Sequence, residues 1–324
     1  MKSNIVIFRV IATISVVLFH ALGYYTYKWP FDGIKVYEYH LYDAFINQIN
    51  MPLFVAMSGY LFQIKSKESN YLKPLPFIKI KFHRLIIPYL FWGVLQLIIF
   101  PKTTNYQMIF SGILHLWFLL MVFEILIIMR LLYKWTCKYH LLIALFAITL
   151  IISDIPIGSD TLCINAVVHY LPFFLLGIII SKNDNTVKPS LPFTFILIIS
   201  SLILATCTYK YGNPPIYINY VRTVSICIIL FCLFVLVKAI PNLKKIAQIP
   251  IVQSINNNSL GIYIIHHILI WGVIQIPIIR MFLDSNIFLP PLVLFLFAFC
   301  ASWSISMLLN RTHYLRILLG ERIK

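Results

Sequence analysis

An arginine and a histidine stand eleven residues apart in a segment near the start of the chain that is otherwise mostly apolar. Eleven residues of α-helix make about three turns, so Arg9 and His20 are predicted to project from one helical face, roughly 16 Å apart along the axis. An imidazole exchanges protons near neutral pH and a guanidinium binds anions, which suits a general base near an anionic ligand. The alternative is a snorkelling arginine and a histidine that hydrogen-bonds within the core.

A second polar face is predicted towards the C-terminus. Ser259, Tyr263 and His266 recur at i, i+4 and i+7, which stacks three hydrogen-bonding groups on one side of a helix. We expect that side to face other helices. Two simpler roles stay open: hydrogen bonding between helices, and, for Ser259 alone, capping of a helix N-terminus after the asparagines at 256–258.

Further candidates lie between these two segments. Lys81 and Arg84 belong to a basic stretch just before an apolar segment, which suits either phosphate recognition or a simple anchor at the membrane surface. His115 and Trp117 open another apolar segment, where Trp117 fits an interfacial belt and His115 fits a solvated position. Glu124 lies near the middle of that segment, where a carboxylate needs a proton or a partner.

Membrane-spanning helices are the elements that must position these residues. Of the 324 residues, 60% are hydrophobic and 11% charged, against roughly 25% charged in soluble domains, which excludes a water-soluble fold. Apolar runs of about 20 residues match the thickness of a bilayer. They predict an all-α, polytopic membrane bundle of about ten spans, at 5–25, 43–64, 84–100, 112–132, 141–157, 165–181, 192–210, 220–238, 259–279 and 290–309.

The distribution of charge predicts that both termini are cytoplasmic. With this topology, Lys and Arg favour the inner loops over the outer loops by roughly three to one, as the positive-inside rule requires. Topology and attraction to anionic membrane lipids then account for the net charge of +16, and we expect no nucleic-acid partner. The longest predicted loops are 26–42 outside and 65–83 inside, and 154–160 is interpreted as a short outer turn. The whole chain, 1–324, is interpreted as one domain.

The cysteines give no sign of redox or metal chemistry. All six are scattered through the chain without a Cys-x-x-Cys pair or an alternating Cys and His pattern. We interpret them as small apolar side chains. Because no local set of ligands surrounds the histidines either, no metal site is predicted.

Five segments occur together in one order along the chain. They are Arg9 followed by ten residues and His20; the apolar run from Pro52 to Ser58-Gly59-Tyr60; the basic stretch ending in Arg84-Leu-Ile-Ile-Pro88-Tyr89; His115-Leu-Trp-Phe; and Ser259-Leu-Gly-Ile-Tyr263 with His266. In combination they resemble the bacterial acyltransferase-3 family of integral-membrane O-acyltransferases. The resemblance extends from residue 9 to residue 266 and so covers most of the chain.

The resemblance implies transfer of an acyl group, usually acetyl, from cytoplasmic acyl-CoA to a hydroxyl of a cell-surface or lipid-linked glycan, in the bacterial inner membrane. It also implies that His20 is the catalytic histidine, that Arg9 is its essential companion, and that Lys81 and Arg84 bind acyl-CoA. The family commonly has two arginines in that basic motif, so Lys81 is a departure that lacks the bidentate guanidinium. Acetyl-CoA or another acyl-CoA is the expected donor substrate, with no bound cofactor.

The expected mechanism is direct acyl transfer. His20 would deprotonate the acceptor hydroxyl, whose oxygen attacks the acyl carbon; a covalent acyl-enzyme is the alternative. A different class of function, a polysaccharide flippase or another transporter, would also place charged residues inside a helical bundle. The residues predicted to line the passage or the acceptor site are Ser58, His115, Trp117, Glu124, Tyr263 and His266.

Overall fold

The computed structural model of the protein describes residues 2–26, 36–66, 68, 73–158, 161–184, 186–210 and 216–321. All regular secondary structure in these residues is helical, which confirms the all-α prediction. Helices suit such apolar segments because lipid cannot hydrogen-bond the backbone, so each segment has to satisfy its own N–H and C=O groups.

The α-helices follow one another with short connections. Single turns of 3-10 helix at Leu114–Leu116, Thr161–Cys163 and Val237–Ala239, and a longer one at Leu315–Leu319, lie beside them. In chain order the α-helices are α1 (Ser3–Thr26), α2 (Tyr37–Lys65), α3 (Pro74–Lys81), α4 (Ile87–Ile99), α5 (Met108–Ser111), α6 (Trp117–Leu131), α7 (Tyr133–Cys137), α8 (Tyr139–Ile152), α9 (Ile164–Lys182), α10 (Leu191–Lys210), α11 (Ile216–Leu236), α12 (Leu243–Gln248), α13 (Pro250–Ile274), α14 (Pro277–Leu283) and α15 (Leu289–Arg311).

Several helices are long and apolar enough to cross a membrane, so the protein is a multi-pass membrane protein. Three of the ten predicted spans coincide with α2, α8 and α10. The apolar parts of these helices are too short or too polar to meet the criteria of length and composition for a membrane span. The count of ten spans and the cytoplasmic position of both termini therefore stay predictions. Within the described residues, seven stretches meet the criteria of length and composition: Ser3–Thr26, Pro74–Ile99, Met108–Leu131, Thr161–Lys182, Ile216–Ala239, Pro250–Ile274 and Leu289–Arg311.

Three predicted boundaries are wrong. The predicted inner loop 65–83 is already helical from Pro74, and the helix continues through a π-helical turn at Phe82–Ile86 to the end of α4. The ninth span, predicted from residue 259, begins at Pro250. In both places polar residues follow a proline at the first helical turn, where its fixed φ is favourable, and they conceal the helix from a search for apolar runs. Of the predicted outer loop 26–42, residues 27–35 lie outside the described residues. The last part of that loop is helical, because α2 begins at Tyr37.

The chain divides into two compact units. The first, called the terminal unit below, comprises residues 1–51 and 242–319, and the second, called the central unit, comprises residues 52–241 and 320–324. Each is described by itself. That the whole chain forms one functional domain stays a prediction.

Three long helices, α1, α13 and α15, pack against one another in the terminal unit. Ile5 and Val17 on α1 and Ile262 on α13 are fully buried. Gly261 allows the close approach of α13 to α15, because a Cβ atom at this position would overlap the side chain of Ser306. In lipid there is no hydrophobic driving force between helices, so their association depends on close van der Waals packing, which small residues at the crossing allow.

In the central unit, two glycines bring α2 and α9 into backbone contact. A Cβ atom on Gly59 would overlap the carbonyl group of Phe174, and one on Gly177 would overlap that of Ala56. Because the two contacts are reciprocal, neither glycine tolerates a side chain without separating the helices. The glycine of the Ser58-Gly59 motif therefore serves the packing of α2 against α9.

Candidate functional site

The predicted pair on α1 faces one partner helix, α13. Nη1 of Arg9 donates a hydrogen bond to Oδ1 of Asn256 at 3.3 Å, and Nδ1 of His20 lies 3.0 Å from Nε2 of His266. Since Asn256 and His266 both belong to α13, the two contacts lie along one seam between the helices. The predicted common face of Arg9 and His20 is therefore present, and both side chains are half-buried.

Hydrogen bonds assign the proton positions of the two histidines in their neutral forms. Nδ1 of His266 lies 2.9 Å from the carbonyl oxygen of Ile262, which can only accept, so this nitrogen carries the proton and Nε2 of His266 is an acceptor. Nδ1 of His20 then donates to that acceptor and lies 3.0 Å from a second one, the carbonyl oxygen of Val16. The lone pair of neutral His20 is consequently on Nε2.

A third histidine completes the cluster, which we call the histidine cluster (His20, His266 and His267). The ring of His267 meets that of His20 edge-on, with centroids 5.1 Å apart, and stacks on Trp271 at 5.2 Å. His266 and His267 are buried, whereas His20 is half-buried and keeps accessible surface. Neither His267 nor Trp271 was predicted to belong to the site. Two features of the sequence could have indicated them: His267 directly follows His266, and Trp271 lies four residues, about one helical turn, after His267.

The other residues predicted on α13 have unequal surroundings. Tyr263 is buried, with its ring centroid 6.0 Å from that of His266, whereas Ser259 is half-buried. A capping role for Ser259 is wrong because α13 begins at Pro250 and Ser259 lies well inside it.

The asparagines before Ser259 hold helices together, which the sequence alone did not reveal. Asn256 receives the hydrogen bond of Arg9, while Oδ1 of Asn258 accepts from Oγ of Ser306 at 3.0 Å and from Nδ2 of Asn310 at 2.8 Å. A polar seam therefore runs along α13, with α1 on one side and α15 on the other.

The remaining six predicted residues belong to the central unit. Oγ of Ser58 donates to the carbonyl oxygen of Phe54 at 2.9 Å, within its own helix. Nζ of Lys81 lies 5.4 Å from the centroid of the Phe77 ring, a cation–π contact, and Arg84 is exposed in the π-helical turn. Such turns are frequent at functional sites.

The surroundings of His115 exclude the solvated position, which was the alternative to its predicted role in lining the passage or acceptor site. His115 is 6% exposed, in the 3-10 turn before α6, so a solvated position is wrong. Trp117 is half-buried and its ring centroid lies 5.6 Å from that of Tyr170. Oε1 of Glu124 is buried and has no hydrogen-bond partner among the described residues.

A buried arginine in the central unit was missed. Arg130 is 8% exposed, and its guanidinium lies 4.8 Å from the centroid of the Tyr133 ring. The ring of Phe62 contacts both Tyr133 and Phe77. The two rings on which Arg130 and Lys81 pack are therefore joined through Phe62. Arg130 sits in the last turn of α6, where the sequence offered only one more positive-inside charge.

Metal ligation finds no support in the geometry: in the part of the chain that the structure describes, no three His, Cys, Asp or Glu side chains are placed to hold a metal ion. The histidine cluster is joined by ring-to-ring contacts and a hydrogen bond. Its arrangement instead suits proton transfer. Neutral His20 has its lone pair on Nε2, and His266 accepts a hydrogen bond from the opposite nitrogen of the same ring, Nδ1.

Comparison with known proteins gives one family. The acyltransferase domain family matches residues 3–311, nearly the whole chain. The chain therefore belongs to the acyltransferase-3 family, and this membership implies membrane acyltransferase activity. Neither the search of curated proteins nor the search of solved structures gives a match.

Proposed function

We propose that the protein transfers an acyl group, in the first instance acetyl, from acyl-CoA to a hydroxyl of a cell-surface or lipid-linked glycan in the bacterial inner membrane. The observation that carries this proposal is the contact of His20 with His266, which leaves the lone pair of neutral His20 on Nε2. A general base for the acceptor hydroxyl needs an acceptor nitrogen of this kind.

The proposed step is a direct transfer. As Nε2 of His20 accepts the proton of the acceptor hydroxyl, the hydroxyl oxygen forms a bond to the thioester carbonyl carbon and a tetrahedral oxyanion results. The oxyanion then collapses, the carbon–sulfur bond breaks, and the leaving thiolate takes the proton back from His20. The products are the O-acyl ester and free CoA.

His266 is proposed as a positioning residue for this step. Its Nε2 accepts the Nδ1–H of His20, which fixes the ring and stabilises the positive charge that His20 gains with the second proton. The carbonyl oxygen of Ile262 holds His266 in the required tautomer in turn. The logic is that of a base oriented by a third group, with an imidazole in place of a carboxylate.

Arg9 is proposed to bind the anionic part of the donor. The hydrogen bond that its Nη1 donates to the side-chain amide of Asn256 orients the guanidinium, whose planar fork can bind a phosphate in bidentate fashion. The distance of roughly 16 Å along α1 is too great for Arg9 to touch the atoms that react at His20. It suits an elongated donor whose phosphates and thioester lie far apart.

Lys81 and Arg84 are proposed to bind acyl-CoA phosphates as well. Arg84 is exposed and Lys81 half-buried, so both are accessible to a ligand. Arg130 adds a third cation next to the aromatic rings that support Lys81. An arginine there supplies the bidentate geometry that Lys81 lacks.

The decisive test of the function is chemical. Purified protein in lipid vesicles is mixed with acetyl-CoA labelled in the acetyl group and with glycan acceptors extracted from bacterial envelopes. We expect labelled acetyl on the glycan, as an alkali-labile ester. Uptake of glycan into the vesicles without any acetylation would instead support the transporter alternative and would refute the proposal.

A further inference from the structure

A second imidazole site lies in the central unit and involves a histidine that the proposed reaction does not use. Nδ1 of His169, on α9, lies 3.2 Å from Oδ1 of Asp154, in the turn after α8. The carboxylate is 6% exposed and the imidazole 35% exposed. A buried carboxylate thus holds one side of an accessible imidazole.

The carboxylate of Asp154 is fixed by several donors. Its Oδ2 accepts hydrogen bonds from Oγ1 of Thr223 at 3.0 Å and from Oγ of Ser153 at 3.2 Å. Burial alone would raise the pKa of Asp154, but the hydrogen bond and electrostatic attraction of His169, followed by the hydrogen bonds from Thr223 and Ser153, outweigh burial and lower the pKa below its ordinary value.

An ionised carboxylate also assigns the tautomer of His169. Because Oδ1 of Asp154 can only accept, Nδ1 of neutral His169 carries the proton and the lone pair is on Nε2. The turn that carries Asp154 is held against α9, since Oδ1 of Asn165 accepts a hydrogen bond from the backbone N–H of Ile157 at 2.8 Å. The site is therefore built by two helices and a pinned turn.

Aromatic rings lie next to this imidazole. The ring of Tyr170 meets His169 edge-on, with centroids 4.9 Å apart, and Trp117 packs against Tyr170 at 5.6 Å. Both aromatic side chains are half-buried. Aromatic surface combined with a few fixed polar groups is the usual composition of sites for small organic ligands, including sugars.

The position along the helices indicates which compartment the site faces. Asp154 follows the last residue of α8 by two positions and Trp117 is the first residue of α6, so the site lies at helix ends. The distribution of Lys and Arg predicts that these ends are outside. An outer site is accessible to envelope glycans.

We propose that His169, Asp154 and the Trp117–Tyr170 pair form a binding site for the sugar of a glycan, in which Nε2 of His169 accepts a hydrogen bond from a sugar hydroxyl. The identification of that sugar as the acyl acceptor rests on the proposed function; the binding site itself does not. No acyl-CoA is needed to observe it.

Carbethoxylation by diethyl pyrocarbonate tests the site, because the reagent reacts with an imidazole lone pair. The full chain in lipid nanodiscs is treated with the reagent, and peptide mass spectrometry follows His169, with the exposed His140 as internal reference. The probes are the methyl glycosides of glucose, galactose, mannose and N-acetylglucosamine. Each has a permethylated counterpart that keeps the ring but lacks hydroxyl donors.

We expect at least one free glycoside to slow the labelling of His169 several-fold while His140 is unaffected, and its permethylated counterpart to give no protection. Asp154→Asn should abolish this protection, whereas Thr223→Val, which removes a hydrogen bond to the same carboxylate, should retain it. An unreactive His169, no protection by any glycoside, or equal protection by the permethylated compounds would overturn the proposal. Protection of His169 in this experiment, combined with no acetyl transfer in the vesicle assay, would retain the binding site and refute the proposed function.

Discussion

Replacing His266 by phenylalanine tests whether this residue positions the proposed base. The ring volume is roughly kept, but Nδ1–H of His20 loses one of its two acceptors, Nε2 of His266 at 3.0 Å, and keeps only the carbonyl oxygen of Val16. A hydrogen bond to a group that becomes charged is worth about 1.5–3 kcal/mol, and about 1.4 kcal/mol corresponds to a tenfold change in rate. We therefore expect kcat to fall roughly ten- to hundredfold, with little change in the KM for acyl-CoA.

The assay is acetyl transfer to glycan by protein in vesicles, measured as initial rates over a range of acetyl-CoA concentrations. His266→Gln is the matched variant, because its side-chain oxygen can accept the same hydrogen bond, and it should recover most of the lost kcat. The reasoning would be refuted if the phenylalanine variant kept its kcat, or if both variants lost the same activity at equal expression and thermal stability.

Three further changes test other parts of the structure. Lys81→Ala and Arg84→Ala should mainly raise the KM for acyl-CoA, by about tenfold for each lost phosphate contact, whereas the exposed Lys134→Ala should leave it unchanged; equal KM values would place the CoA site elsewhere. Gly261→Ala should destabilise the protein by about 1–3 kcal/mol through overpacking against Ser306, whereas Gly272→Ala, in the same helix with open space around it, should not; thermal unfolding in detergent compares them, and equal melting temperatures would contradict the packing argument. Because the pKa of Asp154 is lowered in the folded state, its carboxylate contributes stability that is complete above its ordinary value of 3.8 and is lost as the pH falls below it; Asp154→Asn should remove this part of the acid dependence, and unfolding curves of both proteins between neutral pH and pH 3 measure it.

The sequence predicted the positions of the long apolar helices because a bilayer accepts little else at that length. The same criterion failed where a helix carries polar residues. Asn256 and Asn258 lie inside α13 and serve its contacts with Arg9 and with Ser306, and Lys81 lies on α3. Hydropathy records polarity and not whether a polar side chain has a partner on another helix, so such helix ends escape it.

The candidate site was predictable only along a single helix. Helical periodicity placed Arg9 and His20 on one face, and it placed Tyr263 and His266 on another, but it could not show that α1 and α13 are neighbours. The pairing of His20 with His266 and the contact of His169 with Asp154 depend on packing between helices. Arg130 was likewise indistinguishable from an ordinary inner-loop cation until its burial was known.

The most direct test of the account is acetyl transfer by His20→Ala. Purified wild-type protein, His20→Ala and the control His140→Ala, which changes an exposed histidine, are reconstituted at equal amounts and assayed with labelled acetyl-CoA and glycan. Loss of a general base costs about a hundredfold or more in rate, so His20→Ala should be inactive while the control transfers acetyl at the wild-type rate. Transfer by the correctly inserted His20→Ala protein within tenfold of wild type would contradict the central claim.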